Sequence, residues 1–167
     1  MFTLQKTKAA VAILVTLCIH ISAVAHADEP VDGSDKLERM IKSADLKYEK
    51  TDYFFVVSVK MPSRRVQKVF VTRKAQVFGD VPFVSITAIG WTWENTSAFG
   101  GNDANLLLIA SSKTKIGAWQ SLIFEDKRSL SAEFKASLPL TTTSKTLGAT
   151  IKAVAVSANE LYDIMDK

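Results

Sequence analysis

Val81-Pro82-Phe83-Val84-Ser85-Ile86-Thr87-Ala88-Ile89-Gly90-Trp91-Thr92-Trp93 reads as one long β-strand. It is rich in β-branched and aromatic residues, which fit a pleated, packed surface. On strict alternation Phe83, Ile89, Trp91 and Trp93 share one face, and Val84, Ile86 and Ala88 share the other. A strand apolar on both faces is buried on both, or has one face covered by a partner. Trp91 and Trp93 therefore read in two ways. They are core packing under a helix, or an aromatic binding or dimer surface of the kind tryptophan favours at interface centres.

Working towards the N-terminus, Gly79-Asp80 is a turn signal and Gln76-Val77-Phe78 a short strand before it. Val66 to Thr72 is a further strand, Met61-Pro62-Ser63 a turn, and Tyr53 to Val59 another β-branched and aromatic run. Short turns between such runs make antiparallel hairpins. Before them Leu37, Met40, Ile41 and Ala44 recur at helical spacing behind Ser34, a fair N-cap, with Asp35 in the first turn. Residues 28–33 read as a polar lead.

Towards the C-terminus, Gly100-Gly101-Asn102-Asp103 breaks the sheet and offers caps for a helix holding Leu106, Leu107, Ile109 and Ala110. Ala118 to Phe124 and Leu130 to Leu138 read as one more hairpin, turning at Glu125 to Arg128, and Pro139 stops it. Thr141-Thr142-Thr143-Ser144 supplies candidate caps for the last helix. There Leu147, Ile151, Val154, Ala158, Leu161, Tyr162 and Met165 fall on one stripe. The order is helix, several strands, helix, two strands, helix. It predicts an α+β fold, an antiparallel sheet with helices packed on one face.

The first residues have a different texture. Lys6 and Lys8 precede an apolar run from Ala9 to Ile21, and Ala25-His26-Ala27 ends it before Asp28-Glu29-Pro30. That order is a cleavable signal peptide, 1–27, ahead of a single domain, 28–167. The run is shorter than the roughly 20 residues of a membrane span, so no integral membrane protein is expected. The product would be periplasmic in a cell with an outer membrane, and secreted otherwise. Leu17 before Cys18 does not fit a lipoprotein signal.

Cleavage near Ala27 would remove Cys18, His20 and His26, which are the chain's only cysteine and histidines. The remaining domain could form no disulfide and no zinc site of Cys or His, and it would hold no Cys- or His-dependent nucleophile. No cofactor is expected. The loss of Lys6 and Lys8 would lower the formal charge from +4 to +2, which gives little reason to expect nucleic acid as a partner.

Several stretches together resemble the YbjN-like family of bacterial sensory transduction regulators. They are Tyr53-Phe54-Phe55-Val56-Val57, Arg64-Arg65-Val66-Gln67-Lys68-Val69, Asn105-Leu106-Leu107-Leu108-Ile109-Ala110, Lys115-Ile116-Gly117-Ala118-Trp119 and Ala158-Asn159-Glu160-Leu161-Tyr162. The resemblance covers roughly residues 34–165. In place of an asparagine that the family often carries late in the middle helix, this chain has Ser111-Ser112. The resemblance implies a type III secretion chaperone-like fold that forms dimers and binds partners, with no catalytic residues to carry over.

Lys60, Arg64, Arg65, Lys68, Arg73 and Lys74 lie in a stretch without acids. They read as a solvated, edge-protecting set or as a docking patch for an acidic protein segment or an anionic surface. Ser112 and Lys115 match Ser-x-x-Lys, but the Ser-Asp-Asn and Lys-Thr-Gly partners of that chemistry are absent from the sequence. The expectation is an exported, non-enzymatic module that binds another polypeptide, alone or as a homodimer. Trp91, Trp93, Arg64, Arg65 and Lys68 are its candidate contacts. The alternatives are an envelope hydrolase using carboxylates such as Glu94, or a small-ligand carrier with an enclosed apolar cavity.

Overall fold

The structure is a computed structural model, and it describes residues 28–94, 96–112, 114–124 and 129–166. The expected signal peptide and the turn at 125–128 lie outside the described residues. The strands are β1 (Asp28–Asp32), β2 (Tyr48–Lys50), β3 (Phe54–Lys60), β4 (Val66–Thr72), β5 (Lys74–Phe78), β6 (Val81–Trp93), β7 (Ala118–Phe124) and β8 (Ser129–Pro139). The helices are α1 (Ser34–Ser43), α2 (Gly101–Ser112) and α3 (Ser144–Met165), with a 3-10 turn at Thr96–Ala98.

Every strand pairing among the described residues is antiparallel. The long β6 organises the sheet. One of its edges takes β5 at Val81–Phe83 and β4 at Ile86–Thr87; the other takes β8 along most of its length. β3 and β2 follow β4, β1 follows β5, and β7 follows β8. The expected class, α+β on an antiparallel sheet, is what the chain forms.

Alternation sets the core. Phe55, Val71, Ile86 and Ala136 stand side by side across four strands, and all are buried. They meet Leu147, Ile151, Val154, Ala155 and Ala158 of α3 and Leu37, Met40 and Ile41 of α1 in one apolar cluster. Each of the larger side chains, from Val to Phe, contributes roughly 1.5–3 kcal/mol by leaving water. The expected stripe on the last helix is therefore its buried side. Val56, Phe70 and Thr87 form the alternate row on the opposite face and are only half-buried.

Two expectations at the N-terminal end are corrected. Residues 28–32 are a strand paired to β5, not a free polar lead. Gly33, not Ser34, occupies the N-cap of α1, and the Ser34 N–H donates to Asp32 Oδ1 at 2.9 Å. At α3 the cap is Thr143, whose hydroxyl accepts from the Thr146 N–H at 3.1 Å. Thr143→Ala is expected to cost about 1 kcal/mol of stability, read as a lower midpoint in chemical denaturation.

Glu38 ties α1 to β2. Its carboxylate accepts from Lys50 Nζ at 2.8 Å, Lys42 Nζ at 3.0 Å and Tyr48 Oη at 2.8 Å. Lys50 first, then Lys42 and Tyr48, lower its pKa from 4.5 to about 2. A carboxyl depressed in the folded state stabilises above its unfolded pKa, and that contribution is lost as pH falls through the folded value. Glu38→Gln is therefore expected to lower stability at neutral pH. The gap from the parent should narrow as pH falls from 4.5 towards 2, as measured by thermal melts across that range.

Candidate docking surface

The long strand does not keep strict alternation. Ile89 stands opposite Glu133, but Trp91 stands opposite Ala132, so Gly90 is an extra residue in a bulge. One inserted residue reverses the faces of everything after it. Trp91 and Trp93 therefore leave the face of Phe83 and Ile89, where strict alternation puts them, and turn towards α3. A Cβ on Gly90 would sit 2.6 Å from Trp119 Cη2 and 3.0 Å from Leu161 Cδ2, which explains the glycine. Gln67 Nε2 donates to the Ile89 carbonyl at 3.0 Å, where the β4–β6 ladder has ended.

Trp93 is 8% exposed, in a second apolar cluster with Leu107, Leu130, Ala132 and Leu161. Its ring meets Phe99 edge-on at 5.0 Å. Trp91 is half-buried and lies 5.4 Å from the ring of Tyr162. Of the two readings of this pair, core packing under a helix describes Trp93.

The basic residues are divided by alternation along β4. Arg64 is exposed in the turn before that strand at φ 64°. Arg65 turns to the helix side and lays its guanidinium 3.2 Å from the Tyr162 ring centroid. Tyr162 in turn meets the tilted ring of Trp91, and the Arg65 Nη1 is buried without a hydrogen-bond acceptor among the described residues. Lys68 lies on the other face, 3.5 Å from Glu49. Arg65 and Lys68 thus belong to opposite sides of the sheet and form no common patch. Glu94 is exposed at the end of β6.

An unanticipated surface lies at the other end of the sheet. Among the described residues β7 is an edge strand, paired to β8 alone. The Trp119 N–H points away from β8 and donates to Ser111 Oγ at 3.0 Å. Alternation then directs the N–H and C=O of Ser121 and Ile123 outward as well, and among the described residues nothing pairs with those N–H groups. From Gly117 to Phe124 the sequence carries no charge and no proline. Charge and proline are two common means by which an edge is protected from pairing with another chain. Gly117 makes the entry tight, since a Cβ there would lie 2.4 Å from the Lys135 carbonyl oxygen.

Apolar side chains flank this edge. Ile123 is 59% exposed, and on α2 Leu108 and Ile109 are 68% and 57% exposed. Only Leu107 of that helix is buried. α2 lies against the β7 side of the sheet, away from the main core. A signal was present: Leu106 to Ala110 is an unbroken apolar run, and a helix with one covered side cannot bury all of it.

The element order and sheet define an α+β chain of YbjN-like fold. A solved structure that resembles it is the crystal structure of YbjN, a candidate transcription regulator from E. coli. The TM-score is 0.52 at 9% identity, covering 77% of this chain and 88% of that one. At that identity the likeness is one of fold. No family model matches the sequence, and no curated protein matches it.

Proposed function

We propose that the chain is an exported, non-enzymatic module that takes an extended segment of another polypeptide onto the β7 edge, beside the apolar outer side of α2. The observation that carries this is the uncharged edge with outward amides and the exposed Ile123, Leu108 and Ile109 next to it. Main-chain pairing at such an edge supplies affinity, and alternate side chains supply specificity. The YbjN-like fold is compatible with the reading, since that neighbour is itself a candidate regulator. The core position of Trp93 moves the proposed contacts from the tryptophan pair to β7 and α2.

A second copy is the other occupant this edge favours. An uncharged strand can pair antiparallel with itself about a two-fold axis. Export rests on the sequence of residues 1–27. Protein recovered from the cell envelope or the medium should begin at Asp28 by intact mass; a chain still starting at Met1 contradicts cleavage. The docking reading is tested by capture of the tagged chain from the same fraction, beside Ile123→Lys. A defined polypeptide, or a second copy, that is retained by the parent and lost from the variant supports it. Equal recovery with both contradicts it.

A further inference from the structure

The helices and the buried side chains of the sheet lie on one side of it, and among the described residues nothing covers the other. That open side is aromatic. Phe54 meets Phe70 edge-on at 5.9 Å, and Phe78, 65% exposed, meets Phe83 at 5.9 Å. Charged side chains flank it, Lys47 and Glu49 beside β3 and Glu133 and Lys135 on β8. An apolar centre with a polar rim is the anatomy of a protein interface.

Register sets this side in rows. One row runs Glu49, Val56, Phe70, Thr87 and Lys135, from β2 through β3, β4 and β6 to β8. Two residues along the strands, the next row is Lys47, Ser58, Lys68, Ile89 and Glu133. Two residues the other way it is Phe54, Thr72 and Ser85, where the Ser85 N–H donates to the Thr72 hydroxyl at 3.0 Å. β4 is the middle strand of the two five-residue rows.

These rows are complementary to their own reversal. A two-fold axis along β4, in the plane of contact, sets each residue on the one equally far across β4 in a second copy. Glu49 then meets Lys135, and Lys47 meets Glu133. Val56 meets Thr87, Phe54 meets Ser85 and Ile89 meets Ser58, so a large side chain lies on a small one each time. Phe70 meets Phe70 at the axis. Lys47, Lys135 and Glu133 make no ion pair among the described residues, so their charges are free for a partner. Lys68, next to the axis, keeps its own Glu49 at 3.5 Å, and the roughly 30° crossing of packed sheets parts its two copies.

We propose that the open side of the sheet is a contact between two copies of this chain, packed face to face about a two-fold axis along β4, with Glu49 on Lys135 and Lys47 on Glu133 of the second copy. The area suffices. At about 4.8 Å between strands and about 3.4 Å per residue, five strands by the seven residues of β3 and β4 cover roughly 600 Å² per copy and roughly 1,200 Å² in the pair. A specific interface needs about 1,000 Å². This face is distinct from the β7 edge, and the inference does not rest on the docking reading above.

The test is sedimentation velocity on the chain as recovered from the envelope or the medium. At about 100 μM the parent should run at the mass of two chains, since an interface of this size holds at micromolar concentration or below. Glu49→Lys alone and Lys135→Glu alone should each associate about tenfold more weakly, because like charges then face each other twice. An equimolar mixture of these two variants should associate as the parent does, because every acid then faces a base again. A variant that merely misfolds gives no such recovery, and circular dichroism checks the fold of each. Lys47→Glu and Glu133→Lys supply a second pair for the same trial. Ile123→Lys, on the β7 edge, should leave the association unchanged. A parent that stays a single chain gives the face to another occupant and overturns the proposal. So do charge reversals that leave association unaltered, or a mixture of folded variants that does not recover it. A pair lost with Ile123→Lys and kept by the charge reversals places the contact at β7 and overturns it too.

Discussion

Trp93→Ala is expected to destabilise the domain by about 3–5 kcal/mol, the range for truncating a large aromatic side chain in a core. Trp93 fills the space between Leu107, Leu130 and Leu161 and meets Phe99 edge-on at 5.0 Å. Its removal leaves a cavity where the end of β6, the start of β8 and α2 converge. Domains of this size are stable by only about 5–15 kcal/mol, so the loss is a large share of the total. Urea denaturation followed by far-UV circular dichroism should show the midpoint fall. Trp91→Ala should cost less, because Trp91 is half-buried and its neighbour Tyr162 keeps the Arg65 guanidinium over its ring. A Trp93→Ala domain of unchanged stability that loses a partner would return that residue to the surface role.

Ile123→Lys is expected to weaken polypeptide binding by about 2 kcal/mol or more, a factor of roughly 30, as for a residue at the centre of an interface. The side chain is 59% exposed in the free domain, so the substitution removes little folding energy. A lysine there places a charge on the uncharged edge and opposes burial against another strand. Thermal melting should stay within a few degrees of the parent while binding falls, as read by capture or by titration of an identified partner. Loss of both together would make Ile123 a structural residue.

Much of the fold is legible in the sequence. β4, β6 and β7 end where turn residues and texture place their ends, and the stripe on α3 is its buried side. The faces of Trp91 and Trp93 are not legible, because they depend on one inserted residue. Gly90 permits a bulge, but only the pairing of Ile89 with Glu133 and Trp91 with Ala132 reveals it. The basic residues mislead for a related reason. Arg64, Arg65 and Lys68 are close in sequence, yet a turn and a pleat send them in different directions. β1 reads as a polar lead because its acids and proline lack strand character, and pairing to β5 gives it its form. The β7 edge is invisible for a topological reason: a strand's own residues do not say whether one neighbour or two will flank it. The excess apolar run of α2 is the trace of that surface in the sequence.

The central claim is that β7 receives an extended polypeptide. Its most direct test is photo-crosslinking in living cells from a probe at position 123, compared with a probe at Tyr53, which is 76% exposed in the turn between β2 and β3. A discrete polypeptide adduct from position 123, absent from position 53 and lost when Ser121→Pro removes an outward N–H, is the predicted result. No adduct at 123, or the same adducts from both positions, would contradict the account.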